Sequence, residues 1–182
     1  MSRIYTPASI NDAPEASKGS LEAVNNLLGS VPNLFRIVAN SPQTLEGYLG
    51  LNGALVKGSL SAQTRERIAL AVAEINGCNY CLAAHNYLGA NLAKLSKAEI
   101  EAARRGTSSD AKAAAAVDFA VKITNNRGAV SESDLQAARN AGYSDAEIVE
   151  IIGNVALNTL TNYINEVLDT EIDFPITDTL AA

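Results

Sequence analysis

The sequence predicts an all-α protein with a single domain, and three observations lead to that prediction. The chain has 182 residues, about one domain's worth and enough to bury a sizeable core. Aromatic residues make up only 5% of it and Trp is absent, so Ala and Leu must fill the core, which favours close-packed helices. Helix-capping residues recur along the chain, and no segment has the sustained alternation of a strand.

The N-terminal part predicts three helices. Residues 16–28 form the first, which ends near a glycine, and the apolar segment VPNLFRIVAN forms a short second one. Ser41 is the expected N-cap of the third, with Pro42 at its first position, and this helix runs to about Lys57.

The next two helices carry the residues of chemical interest. Ser61 caps the first of them, which has a broad apolar stripe formed by Ile68, Leu70, Ala71, Val72 and Ile75. Gly77 interrupts this pattern, so we expect the helix to break there. A new helix then starts at about Cys78 and runs to Leu92.

Two later segments repeat one capping pattern. SKAEIEAARRG (96–106) and SESDLQAARNAG (131–142) each open with Ser, have an acid three places on and end at Gly, so each predicts a helix with a capping box. Between them lies another helix, which starts at Ser109 or Asp110.

The last helix and the two ends of the chain complete the single domain, 1–182. Ser144 caps the helix with Glu147 as its capping-box partner, and the helix extends to about Leu168. Residues 1–15 and 170–182 are expected to be extended terminal arms. The apolar C-terminal arm is either a surface tail or a segment that docks on a neighbouring subunit.

The charge and hydropathy of the chain exclude several kinds of partner and location. The net charge of −6 argues against a nucleic-acid surface and against docking on anionic lipid. The longest apolar run, Ile68 to Ala73, is far too short to cross a bilayer, and the N-terminus lacks the apolar core of a signal peptide. We therefore expect a soluble, cytoplasmic protein, in which a close pair of cysteines is catalytic or metal-binding rather than structural.

Both cysteines and the single histidine of the chain fall within eight residues. On a helix, Cys78, Cys81 and His85 lie within about 60° of one another, because successive residues are about 100° apart. Cys81 and His85 are an i, i+4 pair, while Cys78 lies at the helix N-terminus, where the dipole favours a thiolate.

This arrangement suits thiol redox chemistry, in which one thiolate attacks, an imidazole takes the proton and a second Cys closes a disulfide. Three other interpretations of these residues have to be compared with this one. The cysteines could be apolar core residues. A structural zinc site usually needs four ligands, and here only three soft ligands lie on one helix, although a catalytic zinc with an added Glu stays open. Haem attachment would need His at the position of Leu82.

Glu66 is followed after eleven residues by Cys78, after two more by Cys81, and after three more by His85. The spacing of these four residues resembles the signature of the AhpD-like alkylhydroperoxidases. These form the peroxidase-related branch of the carboxymuconolactone decarboxylase superfamily. The resemblance implies an AhpD-like helical bundle with an antiparallel helix pair carrying the C-x-x-C site, and a trimer or hexamer. It also implies that Glu66 and His85 relay a proton for a Cys78/Cys81 redox pair.

Two further residues near this motif are candidates for a supporting role. Tyr80 stands where AhpD has a His; Tyr is a poor base near neutral pH, but it could hydrogen-bond a thiolate or a substrate oxygen. Glu74 is a second candidate acid. The helix dipole favours Cys78 as the attacking thiol, whereas contact with His85 and the family resemblance favour Cys81.

The sequence thus predicts an enzyme that reduces hydroperoxides through its cysteine pair, with an external dithiol as reductant. We expect no metal and no bound cofactor, since no dinucleotide fingerprint is visible. The expected partners are a hydroperoxide, a thiol or disulfide reductant and further copies of the chain. The alternatives are a lactone decarboxylase-type enzyme of the same superfamily and a non-enzymatic, zinc-stabilised assembly protein.

Overall fold

A computed structural model describes residues 2–176, and over that range the chain is helical and contains no strand. A short 3-10 helix at Ile10–Asp12 precedes nine α-helices in this part of the chain. They are α1 (Glu15–Leu28), α2 (Asn33–Val38), α3 (Pro42–Val56), α4 (Ala62–Ile75), α5 (Asn79–Asn91), α6 (Lys97–Arg104), α7 (Ala111–Asn125), α8 (Glu132–Asn140) and α9 (Asp145–Leu168). The predicted all-α class is confirmed.

Helix α4 is the centre of the bundle, with α5, α6, α7 and α9 packed around it. All six residues 68–73 are buried, as expected of a helix that has neighbours on every side. Ile75, which the periodicity placed on the same stripe, is 37% exposed. It is the last residue of α4, where the surrounding helices no longer cover it.

The helices begin where their capping residues predict. Seven N-cap side chains in the described chain accept a hydrogen bond from the backbone N–H three residues on: Ser41, Ser61, Cys78, Ser96, Asp110, Ser131 and Ser144. Asp110, not Ser109, therefore caps α7. Complete capping boxes form at the starts of α8 and α9. The capping box predicted for α6 is only half formed, because the Glu99 carboxylate binds Arg67 and the Ser108–Ser109 segment instead.

The predicted break at Gly77 joins α4 to α5. Gly77 has φ +69°, a left-handed conformation that glycine adopts without a steric penalty. The N–H of Cys78 then binds the carbonyl of Ala73 at 3.0 Å, which closes the turn. Further from the turn, His85 contacts Glu66. The later residue of α5 therefore contacts the earlier residue of α4, so the two helices are antiparallel.

The two terminal segments lie against the body of the chain and against each other. The N–H of Arg3 donates to the carbonyl of Leu168 at 2.7 Å, and the N–H of Glu171 donates to the Ser2 hydroxyl at 3.4 Å. The described part of the C-terminal arm, 170–176, therefore packs on its own chain. The remainder of that arm, 177–182, lies outside the described residues.

Among residues 2–176, no helix has both the length and the hydropathy that a membrane crossing requires.

Candidate active site

Cys78 and Cys81 are joined by a disulfide at the start of α5. Cys78 is the N-cap of this helix and Cys81 lies in its first turn, so their Cα atoms are 5.3 Å apart. The backbone N–H of Cys81 donates to Cys78 Sγ at 3.2 Å. Both residues are buried, with 0% and 3% of their surface exposed. The sulfur atoms of the predicted redox pair are thus close enough to bond to each other, and the pair is oxidised in this structure.

His85 lies one turn further along α5 and contacts Glu66 on α4. The distance from His85 Nδ1 to Glu66 Oε2 is 2.9 Å, and about a fifth of each side chain is exposed to solvent. An ionised carboxylate can only accept a hydrogen bond, so Nδ1 carries the proton that it donates to Glu66. In the neutral imidazole, Nε2 then keeps a lone pair and can take up a proton.

Tyr48 is a neighbour of this pair that the sequence analysis did not identify. Burial, together with the smaller effect of the negative charge of Glu66, raises the pKa of Tyr48 to about 12. Its ring also lies 5.8 Å from that of Phe35. Tyr48 is therefore a neutral hydroxyl beside Glu66 at physiological pH. Tyr48 lies on α3, eighteen residues before Glu66, so no short sequence pattern indicated that the two residues are neighbours.

The hydroxyl of Tyr80 binds partners other than the expected ones. Its hydroxyl donates to Asp173 Oδ1 at 2.9 Å and accepts from the N–H of Leu34 at 3.0 Å. Its ring meets that of Phe174 edge-on, with centroids 5.8 Å apart. Burial, more than the nearby Asp173 charge, raises its pKa well above the usual range. The expectation that Tyr80 serves a thiolate or a substrate oxygen is corrected: its hydroxyl joins α2 to the C-terminal segment.

Glu74, the second candidate acid, is engaged elsewhere. Arg104 Nε donates to Glu74 Oε2 at 2.7 Å, and only 6% of the Arg104 side chain is exposed. This partly buried ion pair joins the end of α4 to α6. Glu74 is thus part of the packing between these two helices.

Asn165 is a second residue that the sequence analysis missed. Its Nδ2 donates to Cys81 Sγ at 3.2 Å, across 84 positions of sequence. Asn165 belongs to a row of buried asparagines along α9, formed by Asn154, Asn158, Asn162 and Asn165. Asparagines at helical spacing, between the apolar residues of one helix, were a signal that could have identified this face as a candidate part of the site.

A cavity of about 390 Å³ opens elsewhere on the molecule. It lies at the N-terminal ends of α4, α6 and α7, and its lining includes Arg67, Lys94 and Glu99 but none of the four predicted catalytic residues. Within the described chain, no group of three or more His, Cys, Asp or Glu side chains is placed to hold a metal ion.

Comparisons with known proteins agree with this geometry. The carboxymuconolactone decarboxylase family matches residues 42–126, a segment that holds the disulfide, His85 and Glu66. No curated protein matches the chain at a significant level.

Solved structures match almost the whole chain. An AhpD-core peroxidase-related protein from Ralstonia eutropha JMP134 is 24% identical, with a TM-score of 0.83 over 94% of this chain and 92% of that one. A peroxidase-related protein from Silicibacter sp. TM1040 is 26% identical, with a TM-score of 0.81 over 93% and 91% of the two chains. The debrominase Bmp8, as a cysteine-to-alanine variant bound to 2,3,4-tribromopyrrole, is 19% identical, with a TM-score of 0.77 over 95% and 94%.

The family match covers α4 and α5, which carry the disulfide, His85 and Glu66, and the fold of the described chain is similar to that of the AhpD core. Residues 42–126 are therefore similar to the carboxymuconolactone decarboxylase family, and the described chain is similar in fold to the AhpD-core structures.

Proposed function

We propose that the protein is a thiol-dependent peroxidase and disulfide oxidoreductase that reduces hydroperoxides through Cys78 and Cys81. The observation that carries the proposal is the disulfide at the start of α5, one turn before a histidine that is held by a carboxylate. The match to an AhpD-core structure supports peroxidase-like chemistry at a coarse level.

The oxidative half of the cycle begins with the reduced pair. His85 takes the proton of Cys81 on Nε2, and the thiolate attacks the outer oxygen of the hydroperoxide. The O–O bond breaks, the alcohol leaves with a proton, and Cys81 becomes a sulfenic acid. Cys78 then attacks this sulfur, water leaves, and the disulfide forms. Glu66 orients the imidazole and stabilises its protonated form after the transfer.

The reductive half needs an external dithiol, because the peroxide removes two electrons from the pair. One thiolate of the donor attacks a sulfur of the disulfide and forms a mixed disulfide, while the other sulfur leaves as a thiolate. The second donor thiol then attacks the mixed disulfide, which frees the remaining cysteine and oxidises the donor. No bound cofactor takes part in this proposed cycle.

The proposal is tested by hydroperoxide consumption with a dithiol reductant. Cys78→Ser and Cys81→Ser should each lower turnover to the rate of the reductant alone, because neither variant can close the disulfide. Ala90→Ser is a matched control, since it adds a Ser at an exposed position of the same helix. Turnover by both Cys variants at the rate of the control would refute the mechanism.

A lactone decarboxylase activity is the second candidate, and the family match favours it. This reaction has no evident need for a cysteine pair, so it should survive in a Cys78→Ser/Cys81→Ser double variant. The similarity to a debrominase makes a brominated pyrrole a third substrate to assay alongside the peroxide and the lactone.

We further propose that the protein works in the cytoplasm as a homo-oligomer, a trimer or a hexamer. The outer face of α9 supports this assembly, because it exposes large apolar side chains at helical spacing: Val149, Ile152, Leu160, Tyr163 and Val167. Light scattering at micromolar concentration should give a mass of three or six chains. A monomer would overturn the proposal.

A further inference from the structure

We propose that Asn165 is a positioning residue that stabilises the thiolate of Cys81 and so makes Cys81, rather than Cys78, the thiol that attacks. The inference rests on the thiol chemistry proposed above. It adds to that chemistry a residue from α9, outside the motif and outside the segment that matches the family.

The geometry fixes which atom of the amide faces the sulfur. A disulfide sulfur carries no hydrogen and can only accept, so a buried amide that contacts it must present its nitrogen. Asn165 Nδ2 lies 3.2 Å from Cys81 Sγ, within hydrogen-bonding distance for sulfur. Asn165 is 2% exposed and Cys81 is 3% exposed, so water does not replace this donor.

The rest of the asparagine row shows that this orientation is not a general property of α9. Asn154 and Asn158 turn their Nδ2 groups back to carbonyls one turn earlier in the same helix. Asn162 accepts from Asn76. Asn165 alone among them donates to sulfur, and its Oδ1 is buried without a hydrogen-bond partner within the described residues. A buried acceptor left unpaired is unfavourable, so the orientation of this amide calls for an explanation.

The chemistry supplies that explanation. A hydrogen bond to an ionised acceptor is about twice as strong as one to a neutral acceptor, so an amide donor favours a thiolate over a thiol. Cys78 already has one such donor, the N–H of Cys81, and it also lies at the positive end of the α5 dipole. Asn165 gives Cys81 a donor of its own. Together with His85 one turn further along, this offsets the advantage that the helix terminus gives to Cys78.

The experiment measures the reactivity of each thiol in the reduced, full-length protein without peroxide or donor. Alkylation rates with iodoacetamide are followed from about pH 5 to 9.5, the range over which protein thiols titrate. Fragment ions separate modification of Cys78 from that of Cys81. Asn165→Ala should move the midpoint of the Cys81 profile up by about one pH unit, which is a tenfold loss of thiolate below the midpoint. Asn165→Asp should move it further, because a carboxylate repels the thiolate.

The control is Asn158→Ala, which removes an equally buried amide from the same helix face without touching sulfur. It should leave both profiles unchanged. An Asn165→Ala profile equal to that of the control, or equal shifts at Cys78 and Cys81, would overturn the proposal. If Asn165→Ala unfolds, the isosteric Asp variant decides in the same way. Because no turnover is measured, failure of this proposal is distinguishable from failure of the peroxidase proposal.

Discussion

The carboxylate of Glu66 lies 2.9 Å from Nδ1 of His85, and this contact links the two helices that form the site. The residues are 19 positions apart in sequence, but the turn at Gly77 folds α5 back along α4 and brings them together. The proposed proton relay therefore depends on the turn as much as on the two side chains. The contact also sets the imidazole with Nε2 free to accept a proton.

Glu66→Gln tests whether the charge of this carboxylate matters. The Gln amide oxygen can still accept from Nδ1, so the contact and the fold should persist, but the protonated imidazole loses its counter-charge. We expect kcat/KM for hydroperoxide reduction to fall roughly 10-fold to 100-fold, at the lower end of effects from proton-transfer groups. Glu46→Gln, at an exposed position of α3, should have no effect. Full activity of the Glu66 variant would exclude a relay through this residue.

The helix boundaries and the cluster of Cys78, Cys81 and His85 could be predicted because their signals are local. A capping residue and its partner are three positions apart, and the rare Cys and His side chains fall on one face of one helix. Glu66 was identified mainly through a resemblance to a known family, with limited support from the predicted break at Gly77, and it contacts His85 in the structure. Local spacing therefore accounts for most of what the sequence could reveal.

The errors involve residues whose partners lie far away in sequence. The hydroxyl of Tyr80 is taken by Asp173, 93 positions later, and the sulfur of Cys81 receives a donor from Asn165, 84 positions later. Glu99 has the spacing of a capping-box acid, but Arg67 of α4 competes for its carboxylate. Tertiary packing decides such competitions, and no short pattern records them.

Gly77→Ala should destabilise the protein through its backbone alone. An added Cβ would meet no atom within 4 Å, but the positive φ of +69° is unfavourable for any residue with a side chain. We expect a loss of about 1 to 2 kcal/mol in the free energy of unfolding, measured by urea denaturation. Gly47→Ala is the matched control, because that glycine lies within α3 with open space and no positive φ. It should gain about 0.5 to 1 kcal/mol. Equal effects would contradict the left-handed turn.

Phe174 should hold the C-terminal segment on the helix that carries the disulfide. Its ring lies 5.8 Å from Tyr80 and 6.0 Å from Tyr87, both on α5. Phe174→Ala removes both aromatic contacts, each of which contributes about 0.5 to 1.5 kcal/mol, so we expect a loss of about 1 to 2 kcal/mol in thermal or urea unfolding. Ile176→Ala changes a side chain that is 87% exposed in the same segment and should be silent within about 0.5 kcal/mol. Similar losses of stability in the two variants would contradict the prediction, because they would show that the two aromatic contacts of Phe174 are not what holds the segment in place.

Glu99 should make the stability of the protein depend on pH in acid. Hydrogen bonds from Ser109 contribute most to lowering the pKa of this carboxyl from 4.5 to about 2, and Ser108 and Arg67 add to the effect. The side chain is only 14% exposed, so solvent screens these contacts little. As the pH falls, the unfolded chain takes up this proton before the folded protein does. The contribution of Glu99 is therefore complete above the unfolded pKa and is lost as the pH falls from about 4.5 towards 2.

Glu99→Gln isolates this contribution. At pH 6 the variant should be less stable than the native protein by at most about 3 kcal/mol, the limit that linkage sets for a shift of this size. Between pH 4.5 and about pH 2.5 the difference should shrink, because the native protein loses an interaction that the variant never has. Urea unfolding of both proteins at several pH values within this window measures the difference directly. A gap that stays constant with pH would mean that the native carboxyl titrates normally and that its contacts with Arg67 and the Ser108–Ser109 segment do not favour its ionised form.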